Sequence, residues 1–179
     1  MIYVALLRAV NLAGRNRVAM SALRDFAAAL QLDEPRTLLQ SGNVVFRSSE
    51  RAGTLERLFE TEAKIRLGFE IDFFVRSASE WESIVARNPF KAEAKRDPGH
   101  VVAVLLKAPP DRKRAAALDA AIVGNEIARI DGRQAYVVYP DGIGRSRLTS
   151  ALVEKTLGTR GTARNWNTVL KLGSMMSEM

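Results

Sequence analysis

The chain opens with the stretch Ile2–Arg8, IYVALLR, a nearly continuous apolar run that ends in an arginine. Such a run without alternation is typical of a strand that is buried on both faces of a sheet. The apolar stretch around it, Met1–Val10, is much shorter than the roughly 20 residues of a membrane span. It also lacks a basic leader and a small-residue cleavage site. We therefore predict a buried strand, with neither a signal peptide nor a membrane partner.

Patterns of helix and strand follow this first strand in a recognisable order. Leu23, Phe26 and Leu30 recur at helical spacing, and Ser41-Gly42 separates two short strands as a tight turn. The order is β-α-β-β-α-β, as in a ferredoxin-like unit, with a further short helix at its end. The predicted elements after Ile2–Arg8 are a helix from about Met20 to Leu30, strands Thr37–Gln40 and Asn43–Phe46, a helix Thr54–Leu67, a strand Glu70–Val75 and a short helix Glu80–Arg87.

The second half repeats this order as β-α-β-β-α. It is predicted to contain a strand His100–Lys107, a helix Asp111–Ile122, strands Glu126–Ile130 and Gln134–Tyr139 around the hairpin turn Asp131-Gly132, a helix Ser146–Leu157, and a terminal helix from about Asn167. We predict an α+β fold of two ferredoxin-like halves, with antiparallel sheets and a C-terminal helix. The halves are residues 1–88 and 100–179, joined by the polar, proline-containing linker 89–99.

The residue types that are scarce in this sequence exclude several chemistries. There is no Cys and a single His, His100. These counts exclude disulfides, thiolate catalysis, Cys-ligated metals and a His-rich metal site. Carboxylate-bound magnesium stays open as an alternative, but no tight acidic cluster indicates it, and we predict no cofactor and no metal. A chain without Cys suits a reducing compartment, and we expect a cytoplasmic protein.

The net charge of +7 is concentrated in two segments. Residues 1–19 carry +3 from Arg8, Arg15 and Arg17, residues 142–173 carry +5, and the remainder of the chain carries −1. If the two segments meet in space, they would form a surface for an anionic partner. The alternative is that each cation simply lies on a solvated face.

Three stretches of the sequence resemble a known family. They are Leu6–Met20 (LLRAVNLAGRNRVAM), Leu39–Phe46 (LQSGNVVF) and Tyr139–Leu172, which contains YPDGIGRSRL and TARNWNTVLKL. They are similar to the LLRGINVGG-type, QSGNVVF-type and TxRNWNTVxKL-type segments of the DUF1697 family. Ala9 and Ala13 depart from this pattern, since glycines are usual there. DUF1697 denotes a domain of unknown function, so the resemblance implies a fold and no activity.

The segment Val137–Thr149 has the pattern of a strand, a glycine-containing loop and a helix that Ser146 could cap. Such an arrangement can hold an anion with backbone N–H groups, and Arg145 and Arg147 could add charge-assisted bonds. Gly142 and Gly144 begin a GxG pattern, but Arg147 stands where a nucleotide fingerprint requires its third glycine. We predict an anion site here, with an ordinary turn as the alternative.

Two further stretches carry candidate ligand contacts. In the C-terminal motif, Arg164 and Lys171 could meet an anion while Trp166 stacks on a ring. The alternative is a helix that packs Trp166 into the core, with Asn165 and Asn167 as caps or turn formers. In the first loop, Asn11, Arg15 and Arg17, together with Arg8 at the strand end, could bind a phosphate or carboxylate group. The alternative is that this loop is simply solvated.

No set of catalytic residues can be nominated from the sequence. Ser41-Gly42-Asn43 lacks the elbow motif of a nucleophilic serine, and His100 would be its only imidazole partner. The leading hypothesis is a cytoplasmic binding protein for an anionic ligand, with nucleic acid as one such ligand. An enzyme acting on a small phosphorylated or carboxylated substrate, and a protein-interaction domain, are the alternatives.

Overall fold

The computed structural model describes residues 1–8, 25, 26, 28–38, 42–68 and 70–179. The chain divides into two compact units. The first comprises Met1–Ser83 with Lys171–Met179, and the second comprises Ile84–Leu170. The predicted helix from Met20 to Leu30 lies mostly outside the described residues, although Asp25 and Phe26 are helical.

A four-stranded antiparallel sheet organises the first unit, and its strand order is β2-β3-β1-β4. Strand β1 is central because its unbroken apolar sequence can be buried on both faces. Tyr3, Ala5 and Leu7 belong to the hydrophobic core of the unit, and Val4 and Leu6, on the opposite face, are also fully buried. The elements are β1 Ile2–Leu7, β2 Asp33–Leu38, β3 Asn43–Arg47, helix α1 Ala52–Leu67, β4 Phe73–Ser77 and helix α2 Ala78–Ala86.

The second unit contains another four-stranded antiparallel sheet, of order β6-β7-β5-β8. Its central strand is β5, which is buried over its whole length. Its elements are helix α3 Lys91–Arg96, β5 Val101–Leu106, helix α4 Arg112–Ala121, β6 Ile127–Asp131, β7 Gln134–Val138, helix α5 Ser150–Leu157 and β8 Gly161–Asn165. Helix α6, Trp166–Ser177, follows β8. Both sheets therefore have the same order, and the prediction of two ferredoxin-like α+β halves is confirmed.

Several elements differ from the predictions; strand β2, for example, spans Asp33–Leu38 and not Thr37–Gln40. Strand β8 was not predicted, whereas the terminal helix predicted from about Asn167 is confirmed and begins at Trp166. The sequence GTARN gives no strand signal by itself, but it pairs with β5 along its full length and so completes the sheet. The segment proposed as a linker contains the helix α3.

No helix formed by the residues that the structure describes is long and apolar enough to cross a membrane.

Aromatic packing on Phe59 stabilises the first unit. The ring centroid of Phe59 lies 5.1 Å from that of Phe73 and 5.4 Å from that of Phe46. We expect Phe59→Ala to lower the free energy of unfolding by about 3–5 kcal/mol, because it leaves a cavity among these rings. Ile65→Ala, on the exposed side of the same helix, should change it by less than about 0.5 kcal/mol. Chemical unfolding followed by circular dichroism measures both, and an equal effect of the two substitutions would contradict this description of the core.

Candidate anion-binding site

Two loops of the second unit meet because β6 and β7 pair antiparallel. Ile127, the first residue of β6, pairs with Val138, the last residue of β7. The loop that enters β6, residues 123–126, therefore lies beside the loop that leaves β7, residues 139–147. The sequence pattern identified the second of these loops and gave no indication of the first.

The loop after β7 is a compact turn and is not the start of a helix. Gly142 has a φ of +82°, which L side chains rarely adopt, and its N–H donates to the carbonyl of Tyr139 at 2.9 Å. A 3₁₀ turn then spans Ile143–Arg145. Gly144 lies within this turn, and a Cβ added there would meet open space.

The prediction that Ser146 caps the following helix is wrong. Helix α5 begins at Ser150, and the Thr149 hydroxyl accepts the N–H of Leu152 at 3.2 Å as its cap. Leu148 is buried in the core of the unit, and this anchors an extended stretch of chain before the helix begins. The predicted loop-to-helix anion nest is therefore absent from this segment.

Ser146 instead ties the two loops together. Its hydroxyl donates to Oε1 of Glu126 and accepts the N–H of Leu148 at 2.9 Å. The Glu126 carboxylate lies against Gly124, where an added Cβ would be 2.5 Å from Oε2. The hydrogen bond from Ser146, followed by the backbone N–H groups of Glu126 and Gly124, lowers the pKa of Glu126.

A pocket of about 310 Å³ lies between the two loops. Arg145 and Arg147 are exposed at this pocket, and their guanidinium groups form no ion pair with any residue that the structure describes. Asp141 adds an exposed carboxylate. The pocket is lined by Val123, Gly124, Asn125, Glu126, Tyr139, Asp141, Gly142, Arg145, Ser146 and Arg147.

The floor of the pocket includes a buried phenol. Tyr139 is 2% exposed, and its hydroxyl donates to the carbonyl of Leu148 at 3.1 Å. Burial, and secondarily the negative charge of Glu126, raises the pKa of Tyr139 to about 12. The phenol therefore stays protonated at neutral pH and acts as a fixed hydrogen-bond donor inside the protein.

His100 lies beside this loop, a position that no local sequence pattern predicted. Its Nδ1 is 2.9 Å from Oδ2 of Asp97, and a Cβ added at Gly142 would be 3.6 Å from its Nε2. The carbonyl of His100 accepts the N–H of Tyr139 at 2.8 Å. The imidazole is thus held at the edge of the Gly142 turn by an acidic partner.

Arg164 and Trp166, proposed as ligand contacts, are both 5% exposed. One Nη of Arg164 donates to the Thr162 hydroxyl and to the carbonyl of Ala163, each at 2.8 Å, and burial lowers the pKa of Arg164 to about 10. The indole of Trp166 packs against Tyr136, with 6.3 Å between ring centroids. Neither side chain presents a surface for stacking or for an anion from solvent.

The remaining candidates that the structure describes are not among the residues that line the pocket. Asn165 caps α6, since its Oδ1 accepts the N–H of Thr168 at 2.9 Å, while Asn167 and Lys171 are exposed on that helix. Arg8, in the first unit, pairs with Asp72 at 3.3 Å. Asn11, Arg15 and Arg17 lie outside the described residues. Of the candidate residues, the structure thus brings together Gly142, Gly144, Arg145, Ser146 and Arg147.

The chain belongs to the DUF1697 family of proteins of unknown function, whose model matches residues 1–136. The sequence resemblance to this family is thereby confirmed. The fold is similar to a solved structure of the conserved bacterial protein SP0830 from Streptococcus pneumoniae, with a TM-score of 0.77, 22% identity and 98% of each chain covered. No curated protein matches the chain. At that identity the structural likeness establishes the fold alone.

The tie between Ser146 and Glu126 makes a pH-dependent contribution to stability. Because the pKa of Glu126 is lowered in the folded chain, the contribution is complete above the unfolded-state pKa. It is lost as the pH falls through the folded-state pKa. We expect Ser146→Ala to return the pKa of Glu126 towards its ordinary value and to remove this contribution, as measured by NMR titration of the carboxyl carbon.

Gly124→Ala is expected to have the same effect, since its Cβ displaces the Glu126 carboxylate. Glu126→Gln keeps an acceptor for Ser146 and should remove the pH dependence, because an amide does not titrate in this range. A pKa of Glu126 that is identical in wild type and Ser146→Ala would contradict the assignment of the tie.

Proposed function

We propose that this member of the DUF1697 family binds a small ligand that carries a phosphate or carboxylate group, in the pocket between residues 123–126 and 139–147. Arg145 and Arg147 are the anion contacts. The observation that carries the proposal is the presence, on one pocket, of two exposed guanidinium groups without ion-pair partners among the described residues.

The pocket lining has two arginines and two carboxylates, Glu126 and Asp141, and what favours an anion is the different pairing of these charges. Glu126 is the carboxylate nearest to Ser146, and its charge is already stabilised by that hydroxyl and by backbone N–H groups. The two arginines flank Ser146 in sequence and have no such partner in the part of the chain that the structure describes. Hydrogen bonds to charged groups contribute about 1.5–3 kcal/mol each, so two arginines that converge on one anion would give measurable affinity.

The size of the pocket and the position of the aromatic rings favour a small ligand over a stacked polynucleotide. A volume of about 310 Å³ is at the lower end of the range for small-molecule sites. All aromatic side chains in the part of the chain that the structure describes are buried. Single-stranded nucleic acid is usually held by stacking of its bases on exposed rings, and none of the aromatic rings that the structure describes is exposed.

The protonation states of the pocket support binding over acid–base catalysis. A general base works best with a pKa near the operating pH, and the lowered pKa of Glu126 makes its carboxylate a weak base. Tyr139, with a pKa of about 12, stays protonated. We therefore propose a binding protein, and we place it in the cytoplasm on the strength of its Cys-free composition.

The test uses inorganic pyrophosphate and citrate as probes, with isothermal titration calorimetry on three proteins. Wild type should bind at least one probe, and Arg145→Ala/Arg147→Ala should lose affinity by about tenfold or more, as expected for the loss of charge-assisted hydrogen bonds. The control is Lys91→Ala/Arg96→Ala, which removes the same charge from exposed positions on α3. Equal losses in both variants, or no binding by wild type, would contradict the proposal.

A further inference from the structure

A second basic surface lies at the other end of the sheet in the second unit. Strand β5 begins at the pocket end, where Val101 pairs with Val138, and it ends where Leu106 pairs with Gly161. Five separate segments that carry cations lie at this far end. The five segments together carry seven cations, and we call this set the basic pole: Lys107, Arg112, Lys113, Arg114, Arg133, Lys155 and Arg160.

Backbone hydrogen bonds and one side-chain contact bring these segments together. The N–H of Leu106 donates to the carbonyl of Arg133 at 2.8 Å, and the N–H of Lys107 donates to the carbonyl of Arg160 at 3.0 Å. The Arg114 guanidinium lies directly over Gly158, at the end of α5, where an added Cβ would overlap it. The sequence did not reveal this cluster because its members are spread over more than 50 residues.

The basic pole carries a surplus of positive charge. Three carboxylates lie on the same segments, and they leave a net charge of +4. Each carboxylate is already engaged: Asp111 caps α4 by accepting the N–H of Arg114 at 2.8 Å, Asp131 pairs with Arg87 at 2.6 Å, and Glu154 accepts the N–H of Gly161 at 3.2 Å.

The position of three of these cations is unfavourable for the helix that carries them. Arg112, Lys113 and Arg114 form the first turn of α4, which contains no acidic residue. The N-terminus of a helix has a partial positive charge, so cations there reduce helix stability while they increase the attraction for an external anion. Arg112 and Lys113 are exposed.

The character of the surface indicates what kind of polyanion it fits. The exposed large hydrophobic side chains of the second unit are Val123, Ile127, Ile143 and Leu170, none of which belongs to the segments of the basic pole. Membrane-surface segments insert apolar side chains, and the cores of protein interfaces are apolar and depleted of charge. A surface that offers charge alone suits a phosphate backbone, which supplies most of the affinity in sequence-independent binding.

We infer that the basic pole binds the phosphate backbone of double-stranded nucleic acid without reading its sequence. This surface is separate from the pocket and does not depend on the ligand proposed there. Lysines and arginines that neutralise phosphates release counterions, so the affinity must fall steeply with salt.

The test measures fluorescence anisotropy of a short labelled duplex of random sequence, in DNA and RNA form, at about 50 and 200 mM salt. The pole variant is Arg112→Ser/Lys113→Ser/Lys155→Ser, which changes exposed positions. The control is Lys91→Ser/Lys95→Ser/Arg96→Ser, which removes three exposed cations near the opposite end of β5. Circular dichroism of both variants checks that they fold like the wild type.

Wild type should bind at the lower salt concentration, and the pole variant should bind about tenfold more weakly or worse, with a salt slope that is smaller by about three. The control variant should stay within about twofold of wild type. Absence of binding by wild type, or equal losses in both variants, would overturn the inference. Binding to phosphatidylserine-containing vesicles without binding to the duplex would also overturn it, and would assign the surface to a membrane.

Discussion

The central strand of each sheet, buried on both faces, is the constraint on which the rest of this structure depends. In the second unit β5 is hydrogen-bonded to β7 on one side and to β8 on the other, so both of its ends are fixed in the sheet. The elements that follow must return along the sheet, and their connecting loops therefore gather at its two ends. The pocket occupies one end and the basic pole occupies the other.

The two sheets repeat each other in more than strand order. Arg76 in β4 and Arg164 in β8 each lie opposite the third residue of the central strand. Each donates to the carbonyl of the preceding residue, at 2.9 and 2.8 Å respectively. The next residue in each case, Ser77 or Asn165, caps the following helix by accepting the N–H three positions further along. The two halves therefore share the same local arrangement, in which a strand with a buried arginine is followed by a capping residue and a helix. The arginine is a structural residue in both halves.

The central strands and one hairpin could be predicted from the sequence, whereas strand β8 and the buried position of Arg164 could not. Apolar runs predicted the central strands, and Asp131-Gly132 predicted the hairpin between β6 and β7, because these signals are local. Strand β8 was missed because GTARN is polar and becomes a strand only through its pairing with β5. Arg164 looked like a ligand contact in the sequence, since nothing there shows that the side chain is buried.

In the candidate site, too, the part with a local sequence pattern could be predicted, and the part that depends on the tertiary fold could not. The glycines and arginines of residues 142–147 identified one loop of the pocket from sequence alone. Gly124 and Glu126 carry no motif, and they join the site only because antiparallel pairing sets their loop beside it. The basic pole could not be predicted from the sequence for a related reason, because the packing of α4 on α5 sets Arg114 over Gly158, two residues before Arg160.

We propose that the pocket between residues 123–126 and 139–147 receives a small anion. A ¹H–¹⁵N NMR titration of the wild-type protein with pyrophosphate tests it most directly. The largest chemical-shift changes should fall on the amides of Gly124, Glu126 and residues 142–147, together with the side-chain N–H groups of Arg145 and Arg147. Changes confined to Arg112–Arg114 and Arg160, or no saturable change at all, would contradict it.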